Sequence, residues 1–199
     1  MGNLMKMLKR ILLLLLPSLF ALSSCSETDD AVVYDTWAIE NNSYMETIAA
    51  EAGANETGEW KKFLSYGLDG NKSWDTSYYV YCRVLQSGTM EGSPLCSDVV
   101  SVNYSGRLID GTIFDKTYIG ELNVGEGTPV ELELESCVRG FVMALQEMKR
   151  GDVWEIYIPS ELGYGSSAYV TSTTTIPAGS VLIFTVNLVD FAHSTATEE

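Results

Sequence analysis

The spacing of apolar residues changes from a helical to a strand-like period within residues 137–165. Phe141, Leu145 and Met148 recur at positions i, i+4 and i+7, which predicts a short helix with one apolar face. The side chains of Val153–Ile158 alternate between two faces, which predicts a strand soon after the helix. A helix this short needs a sheet to pack on, so we expect the flanking segments to form one.

The flanking segments contain such strand-like patterns. An Asp110-Gly111 pair is a strong hairpin-turn signal, and Ser166–Thr175 predicts a Ser/Thr-rich loop. The further predicted strands are Ser77–Leu85, Val100–Tyr104, Pro129–Leu134 and a last segment with Leu182, Phe184, Val186 and Leu188 on one side. Together they predict an α+β domain in which about five antiparallel strands form a bent half-barrel around one central helix.

The segment ahead of this domain predicts a helix from Val32 to about Ala52. Residues Glu59–Leu64 fit a further helical turn. The helix can pack on the following domain or against a second copy of the chain, and one short amphipathic helix favours packing within a monomer. The predicted division is 1–24 targeting segment, 25–77 acidic tether and helical segment, 78–191 main domain, and 192–199 polar tail.

The targeting segment has a basic start and a short apolar core. Three basic residues precede the apolar run Ile11–Leu22, which is too short to span a bilayer as a helix. The run ends in Leu22-Ser23-Ser24-Cys25, which resembles a bacterial lipobox and implies a lipid-bearing Cys25 as the first mature residue. The alternative is an ordinary secretory signal with an incidental cysteine.

Charge limits the partners of the chain. The formal net charge is −15, so nucleic acid and anionic lipid headgroups should repel the protein. Any membrane attachment must therefore be hydrophobic. The acidic stretch Ser26–Asp30 resembles the surface-export signals of Bacteroidetes-like lipoproteins. The expected location is the cell envelope, with the protein lipid-anchored at the periplasmic or surface face of the outer membrane.

The residue inventory excludes several enzyme classes. His193 is the one histidine and lies in the predicted tail, so a histidine-based triad has no base. The sequence has no CxxC pair or histidine cluster for zinc, and no glycine-rich phosphate loop. We therefore expect neither a metal nor a cofactor, and a chemistry that rests on aromatic and aliphatic side chains.

Three sequence blocks carry a family resemblance. They are VSVNYSGRLIDGTIFD, VRGFVMALQEMKRGDVWEIYIPSELGYG and IPAGSVLIFTVNLVDF. In this order they resemble the FKBP-type peptidyl-prolyl cis-trans isomerases, over roughly Tyr78 to Phe191. The resemblance implies an antiparallel half-barrel sheet wrapped around one short helix. It also implies isomerisation of Xaa-Pro bonds without a cofactor or metal.

The same resemblance implies an apolar cavity for the proline ring of a substrate. Phe141 is its implied floor, where the family most often has Trp. Asp115 matches the acid close to the substrate carbonyl, and Tyr164 matches the hydroxyl that holds a bound carbonyl. The other implied catalytic residues are Tyr104, Phe114 and Phe184, and the implied substrate-binding residues are Val130, Cys137, Val138 and Ile176.

Three functions remain open at this point. The first is an envelope isomerase that assists the folding of proline-containing clients and is inhibited by macrolides of the tacrolimus type. The second is a chaperone that binds proline peptides without turnover, and the third is a surface lipoprotein that uses the fold as a scaffold. Retention of Tyr104, Phe114 and Asp115 favours the first, because a decayed pocket should have lost some of them.

Cysteine usage adds one structural prediction. If Cys25 carries lipid, three cysteines remain in an oxidising compartment. Cys82 lies in a predicted strand and Cys96 just before the next one, which favours a disulfide between them and leaves Cys137 free. The alternative is three reduced thiols.

Overall fold

The computed structural model describes residues 29–120, 122 and 128–193, with side chains from residue 36 onward. Along these residues the chain forms helices α1 (Asp29–Ala54) and α2 (Arg139–Leu145). The strands are β1 (Trp60–Leu64), β2 (Tyr79–Gln86), β3 (Val99–Arg107), β4 (Ile113–Lys116), β5 (Val130–Glu133), β6 (Val153–Ile158), β7 (Tyr169–Val170), β8 (Thr175–Ile176) and β9 (Leu182–Ala192). The chain divides into two compact units, Met1–Ala31 and Val32–Glu199, and all the strands belong to the second.

Seven of these strands form one antiparallel sheet in the order β1-β2-β6-β9-β3-β4. The outer edge of β3 is shared, because Val99–Val102 pairs with β5 and Ser105–Arg107 pairs with β4. Strands β7 and β8 form a separate small hairpin within the predicted loop Ser166–Thr175. The predicted fold class, an antiparallel sheet with one short helix and an N-terminal helical segment, is confirmed.

The two helices cover opposite faces of the sheet. Trp154 and Ile158 of β6 are buried in the main core together with α2. Because side chains alternate along a strand, Tyr157 points to the other face and packs with Met45 of α1. Gly140 allows α2 to approach β6 closely, since a Cβ at this position would lie 2.4 Å from Ile158 Cγ2.

Polar side chains attach α1 to the turn that precedes β9. The indole N–H of Trp37 donates to Ser180 Oγ at 2.9 Å, and the backbone N–H of Val181 donates to Asn41 Oδ1 at 2.7 Å. The helix thus packs on the domain that follows it, the arrangement favoured by the sequence. Neither helix in the described part of the chain combines the length and hydropathy needed to cross a membrane.

Residues Trp60–Leu64 form a strand, so the prediction of a helical turn here is wrong. The strand pairs with β2 from Trp60–Arg83 to Leu64–Tyr79. On its inner side, the Phe63 ring lies parallel to Trp154 with ring centroids 6.2 Å apart. Trp60, Phe63 and Leu64 are spaced i, i+3 and i+4, which suits a helix locally, but the backbone hydrogen bonds offered by the edge of β2 decide the conformation.

The predicted Cys82–Cys96 disulfide is not formed. Cys82 lies in the middle of β2 and is fully buried in the main core, whereas Cys96 is exposed in the connection to β3. Both thiols are free, as is that of Cys137. The predicted lipid site Cys25 and the tail residues 194–199 lie outside the described residues.

Candidate active site

A cleft of about 620 Å³ opens beside α2, and its lining comes from β3, β4, β5, β7, β9 and α2. Phe141 of α2 forms the floor and is almost fully buried. It is held there because the neighbouring Gly140 lets α2 pack closely on β6. The cleft therefore sits where the short helix meets the sheet, at the place predicted for it.

Four aromatic rings form the apolar part of the cleft, and Phe184 of β9 is their centre. Its ring centroid lies 5.1 Å from that of Phe141, 5.4 Å from that of Phe114 and 6.1 Å from that of Tyr104. All three contacts are edge-to-face, the arrangement that the ring quadrupoles favour. The rings come from four separate elements, so the tertiary fold rather than any local motif builds this surface.

A polar pair lies beside these rings. The Tyr104 hydroxyl donates to Asp115 Oδ2 at 2.5 Å, across the β3–β4 pairing. The Thr117 hydroxyl accepts from the backbone N–H of Tyr104 at 2.9 Å, which adds a hydrogen bond between β3 and the residue that follows β4. Burial, reinforced by the bond to Asp115, raises the pKa of Tyr104. The hydroxyl therefore stays protonated at neutral pH and holds the carboxylate in a fixed orientation.

Tyr164 also lines the cleft, after a single 3₁₀ turn at Ser160–Leu162. Burial raises the pKa of Tyr164, so its hydroxyl is a neutral donor. Within the described residues this hydroxyl has no hydrogen-bond partner. It is thus free to donate to the oxygen of a bound molecule.

Most of the predicted site residues come together in this cleft. Those that line it are Tyr104, Phe114, Asp115, Cys137, Val138, Phe141, Tyr164 and Phe184. Val130 and Ile176 do not. Val130 is half-buried against the core at the start of β5, and Ile176 in β8 is fully buried beneath the lining. Leu132, two residues after Val130 and on the same side of β5, lines the cleft instead.

Sequence reasoning missed one wall of the cleft. Its residues belong to the β7–β8 hairpin, Tyr169, Val170, Thr171 and Ser172. The two strands have only two residues each, and a Ser/Thr-rich stretch shows no period that could predict them. The aromatic Tyr169 within this polar stretch was the one available signal.

The lining can bind an apolar ring and donate a hydrogen bond, and it offers no activated nucleophile. Cys137 has the cleft's thiol, which lies 3.7 Å from the carbonyl oxygen of Glu133. Burial raises the pKa of Cys137, so the thiol is protonated and weakly nucleophilic. Nowhere in the described ranges do three or more histidine, cysteine or acidic side chains converge as they would around a metal ion.

Comparison with known proteins agrees with this geometry. The family model for FKBP-type peptidyl-prolyl cis-trans isomerase matches residues 92–189. The FKBP-type 22 kDa peptidyl-prolyl cis-trans isomerase of Escherichia coli (strain K12) is 33% identical over 174 residues, which cover 85% of this chain and 70% of that protein. This chain belongs to the FKBP-type isomerase family. The matched residues 92–189 include every residue that lines the cleft.

Two further FKBP-type relatives differ in how much of them the chain covers. The peptidyl-prolyl cis-trans isomerase Mip of Coxiella burnetii is 42% identical over 107 residues, which are 54% of this chain and 42% of Mip. The crystal structure of FkpA from Escherichia coli superposes with a TM-score of 0.58 at 25% identity, covering 83% of this chain and 65% of FkpA. The chain thus spans less than half the length of Mip and about two thirds of FkpA.

Proposed function

We propose that this protein catalyses the cis–trans isomerisation of Xaa-Pro peptide bonds, and that the proline ring of the substrate lies on Phe141. The observation that carries the proposal is the group of three rings around Phe184, at 5.1, 5.4 and 6.1 Å, beside the Tyr104–Asp115 hydrogen bond. An apolar surface of this size suits a pyrrolidine ring, and the adjacent polar atoms suit the amide next to it.

The chemistry requires no nucleophile. Rotation about the amide bond has a barrier of about 18–20 kcal/mol because resonance is lost in the twisted transition state. Water favours the charge-separated planar amide, so removing water from the prolyl carbonyl lowers the barrier. Selective binding of the twisted bond contributes the rest, and about 1.4 kcal/mol of such binding accelerates the reaction tenfold.

The aromatic and polar groups of the cleft have separate roles in this proposal. The aromatic rings of Phe114 and Phe184 exclude water from the twisting bond. The free hydroxyl of Tyr164 donates to a carbonyl oxygen of the bound peptide and fixes its direction. The Tyr104 hydroxyl orients the Asp115 carboxylate toward the polar side of the substrate. All of these groups keep their protonation state through the reaction.

A comparison of two phenylalanine variants tests the proposal. Phe184 and Phe191 are equally buried, 7% and 6% exposed, but only Phe184 lines the cleft. Each Phe→Ala change should reduce stability by roughly 3–5 kcal/mol. In a proline-peptide exchange assay, well below both melting temperatures, Phe184→Ala should lose at least about tenfold in rate and Phe191→Ala should not. Equal rates for wild type and both variants, close to the uncatalysed rate, would leave a non-catalytic proline-peptide-binding chaperone as the better assignment.

We further propose that the protein acts in the cell envelope as a lipid-anchored monomer. The lipobox-like Leu22-Ser23-Ser24-Cys25 after the apolar run supports lipid attachment at Cys25, and the contacts of α1 with its own domain support a monomer. Outer-membrane location, proline-containing clients and macrolide inhibition of the tacrolimus type belong to the same proposal. A Cys25→Ala variant should leave the membrane fraction, and its unchanged processing and membrane binding would refute the lipid site.

The proposal keeps the predicted segments as functional units. The targeting segment is 1–24, the tether and helical segment 25–77, the catalytic domain 78–191 and the tail 192–199. Within the second of these, β1 pairs with the catalytic sheet and α1 packs on it, which supports a structural role for both. Mass spectrometry of the mature protein would test the first boundary, since a lipid-modified N-terminal Cys25 is expected.

A further inference from the structure

The β7–β8 hairpin forms the wall of the cleft that the sequence did not predict. It is held together by its own hydrogen bonds and by one buried side chain. Tyr169 pairs with Ile176 and Val170 with Thr175. Ile176 is fully buried in the main core and anchors the hairpin to it. At the tip, the Thr171 hydroxyl accepts from the backbone N–H of Thr174 at 3.0 Å and donates to its carbonyl at 2.9 Å. The hairpin is therefore a defined structural element rather than an open loop.

Two contacts join this hairpin to two other parts of the cleft lining. The Thr173 hydroxyl donates to the carbonyl oxygen of Phe114 in β4 at 2.8 Å. The Tyr169 ring stacks on the ring of Tyr164, with centroids 4.1 Å apart and planes 9° from parallel. Both contacts act on residues that carry the proposed chemistry, and neither follows from the sequence pattern.

The Tyr164 ring packs against the main core and stacks on the ring of Tyr169. Tyr164 lies between two glycines, and Gly165 has a positive φ of 69°. The backbone is fixed by the N–H of Gly165, which donates to the Ser160 carbonyl at 2.8 Å, but the Tyr164 hydroxyl has no partner within the described residues. The ring of Tyr169 covers one face of the Tyr164 ring, and so restricts the direction in which the free hydroxyl points.

The Thr173 contact has a matching effect on the other wall. Phe114 is followed by Asp115, whose carboxylate accepts from Tyr104. A hydrogen bond to the Phe114 carbonyl thus fixes the short strand that carries both the aromatic wall and the acid. Because β4 has only four residues at the edge of the sheet, one added hydrogen bond restrains it substantially.

We propose that Tyr169 and Thr173 are positioning residues, Tyr169 for the Tyr164 hydroxyl and Thr173 for the Phe114–Asp115 strand. This inference rests on the proposed function, because Tyr164, Phe114 and Asp115 matter only if the cleft binds a proline peptide. Tyr169 acts through the face of its ring, so its own hydroxyl is dispensable. Thr173 acts through its hydroxyl, so a serine should replace it.

The test for Tyr169 is a double-mutant cycle with Tyr164. Loss of the hydrogen bond from Tyr164 should weaken peptide binding by roughly two- to tenfold in Tyr164→Phe. Tyr169→Ala should raise KM by a similar factor with a smaller effect on kcat, and Tyr169→Phe should behave as wild type. In the Tyr164→Phe background, Tyr169→Ala should have a smaller effect than in the wild type, because the part that acts through the Tyr164 hydroxyl is already lost. Full additivity, or an equal loss in Tyr169→Phe, overturns the proposal.

The test for Thr173 compares the loss and retention of one hydroxyl. Thr173→Val should raise KM by roughly two- to fivefold, and Thr173→Ser should restore the wild-type value. Thr47→Val is a matched control, because the Thr47 hydroxyl also donates to a backbone carbonyl, that of Ser43, on the exposed side of α1. If Thr173→Val and Thr47→Val behave alike, the proposed role of Thr173 is wrong.

Peptide affinity and exchange rate should be measured separately for every variant, on the full-length protein. Affinity comes from titration with a proline-containing peptide, and exchange rate from line-shape or exchange NMR of the same peptide. If the wild type binds the peptide without accelerating exchange, the proposed catalysis fails. The peptide affinities of the variants still test the roles of Tyr169 and Thr173. If the wild type accelerates exchange and the cycle is additive, the positioning proposal alone fails.

Discussion

The side-chain oxygen of Asn41 accepts a hydrogen bond from the backbone N–H of Val181 at 2.7 Å, although the two residues are 140 positions apart in the chain. Asn41 is fully buried, and its amide nitrogen donates to the Trp37 carbonyl within α1. One side chain therefore satisfies backbone groups of both α1 and the turn before β9. The N-terminal helix and the isomerase domain are one packed structure at this point.

Replacement of Asn41 should reduce stability. Asn41→Ala leaves the N–H of Val181 buried without a partner, which costs about 1–3 kcal/mol. The exposed neighbour Asn42 provides a matched control, and Asn42→Ala should change stability by less than about 0.5 kcal/mol. Urea unfolding of both variants measures the difference. Equal midpoints would show that the hydrogen bond contributes nothing to folding.

Truncation at the predicted domain boundary should be more damaging than the sequence suggests. A fragment of residues 78–191 lacks β1, which pairs along β2, and α1, whose Met45 and Ile48 pack with Tyr157 and Ile183. It should expose that apolar face and unfold at a lower temperature than residues 29–193, or aggregate. Melting curves and light scattering of the two fragments compare them directly. Identical melting temperatures would mean that α1 and β1 are dispensable appendages.

The sequence predicted the central parts of this protein better than its edges. Phe141, Phe184 and the strand Val153–Ile158 follow from clear periods and a specific family pattern, and all lie where predicted. β1 was mistaken for a helical turn, since the i, i+3 spacing of Trp60 and Phe63 suits a helix and only pairing with β2 makes this segment a strand. The β7–β8 hairpin was missed because tertiary contacts, rather than its own composition, hold it in place.

An ion cluster around the buried carboxylate of Glu155, on the α1 side of the sheet, should contribute to stability. Glu155 accepts from Arg83 and Arg107, both at 2.9 Å, and from the Tyr157 hydroxyl at 2.6 Å. Glu155→Gln removes the charge that compensates both arginines, which remain partly solvated, so we expect a loss of about 1–3 kcal/mol. The control is Asp190, which is 63% exposed and pairs with Arg150, and Asp190→Asn should lose less than about 1 kcal/mol. Chemical denaturation of both variants decides the comparison, and equal losses would contradict it.

The proposed activity should not depend on tyrosine ionisation near neutral pH. Burial raises the pKa of both Tyr104 and Tyr164 above the ordinary value of about 10, so both hydroxyls remain neutral donors up to at least about pH 9. We therefore expect a flat rate between about pH 7 and pH 9 in the exchange assay. A fall in this window that disappears in Tyr104→Phe would show that Tyr104 ionises there.

Gly106 offers a test of cleft shape that leaves every lining side chain unchanged. It lies in β3, behind the aromatic wall, and has an ordinary strand backbone. A Cβ at this position would lie 2.5 Å from the Phe114 ring and 2.8 Å from the Phe184 ring. Contacts this short require both rings to move toward the cleft, because the β3 backbone is held between β4 and β9.

Gly106→Ala should therefore affect catalysis directly. We expect an overpacking loss of roughly 1–3 kcal/mol in stability and, measured below the melting temperature, at least about a tenfold loss in exchange rate. Gly70→Ala is the control, since nothing lies within 4 Å of a Cβ there and the backbone needs no positive φ. A crystal structure or aromatic NMR shifts of the variant would report the displaced rings. Unchanged rates with displaced rings would mean that the spacing of Phe114 and Phe184 does not limit isomerisation, and the desolvation mechanism would have to be abandoned.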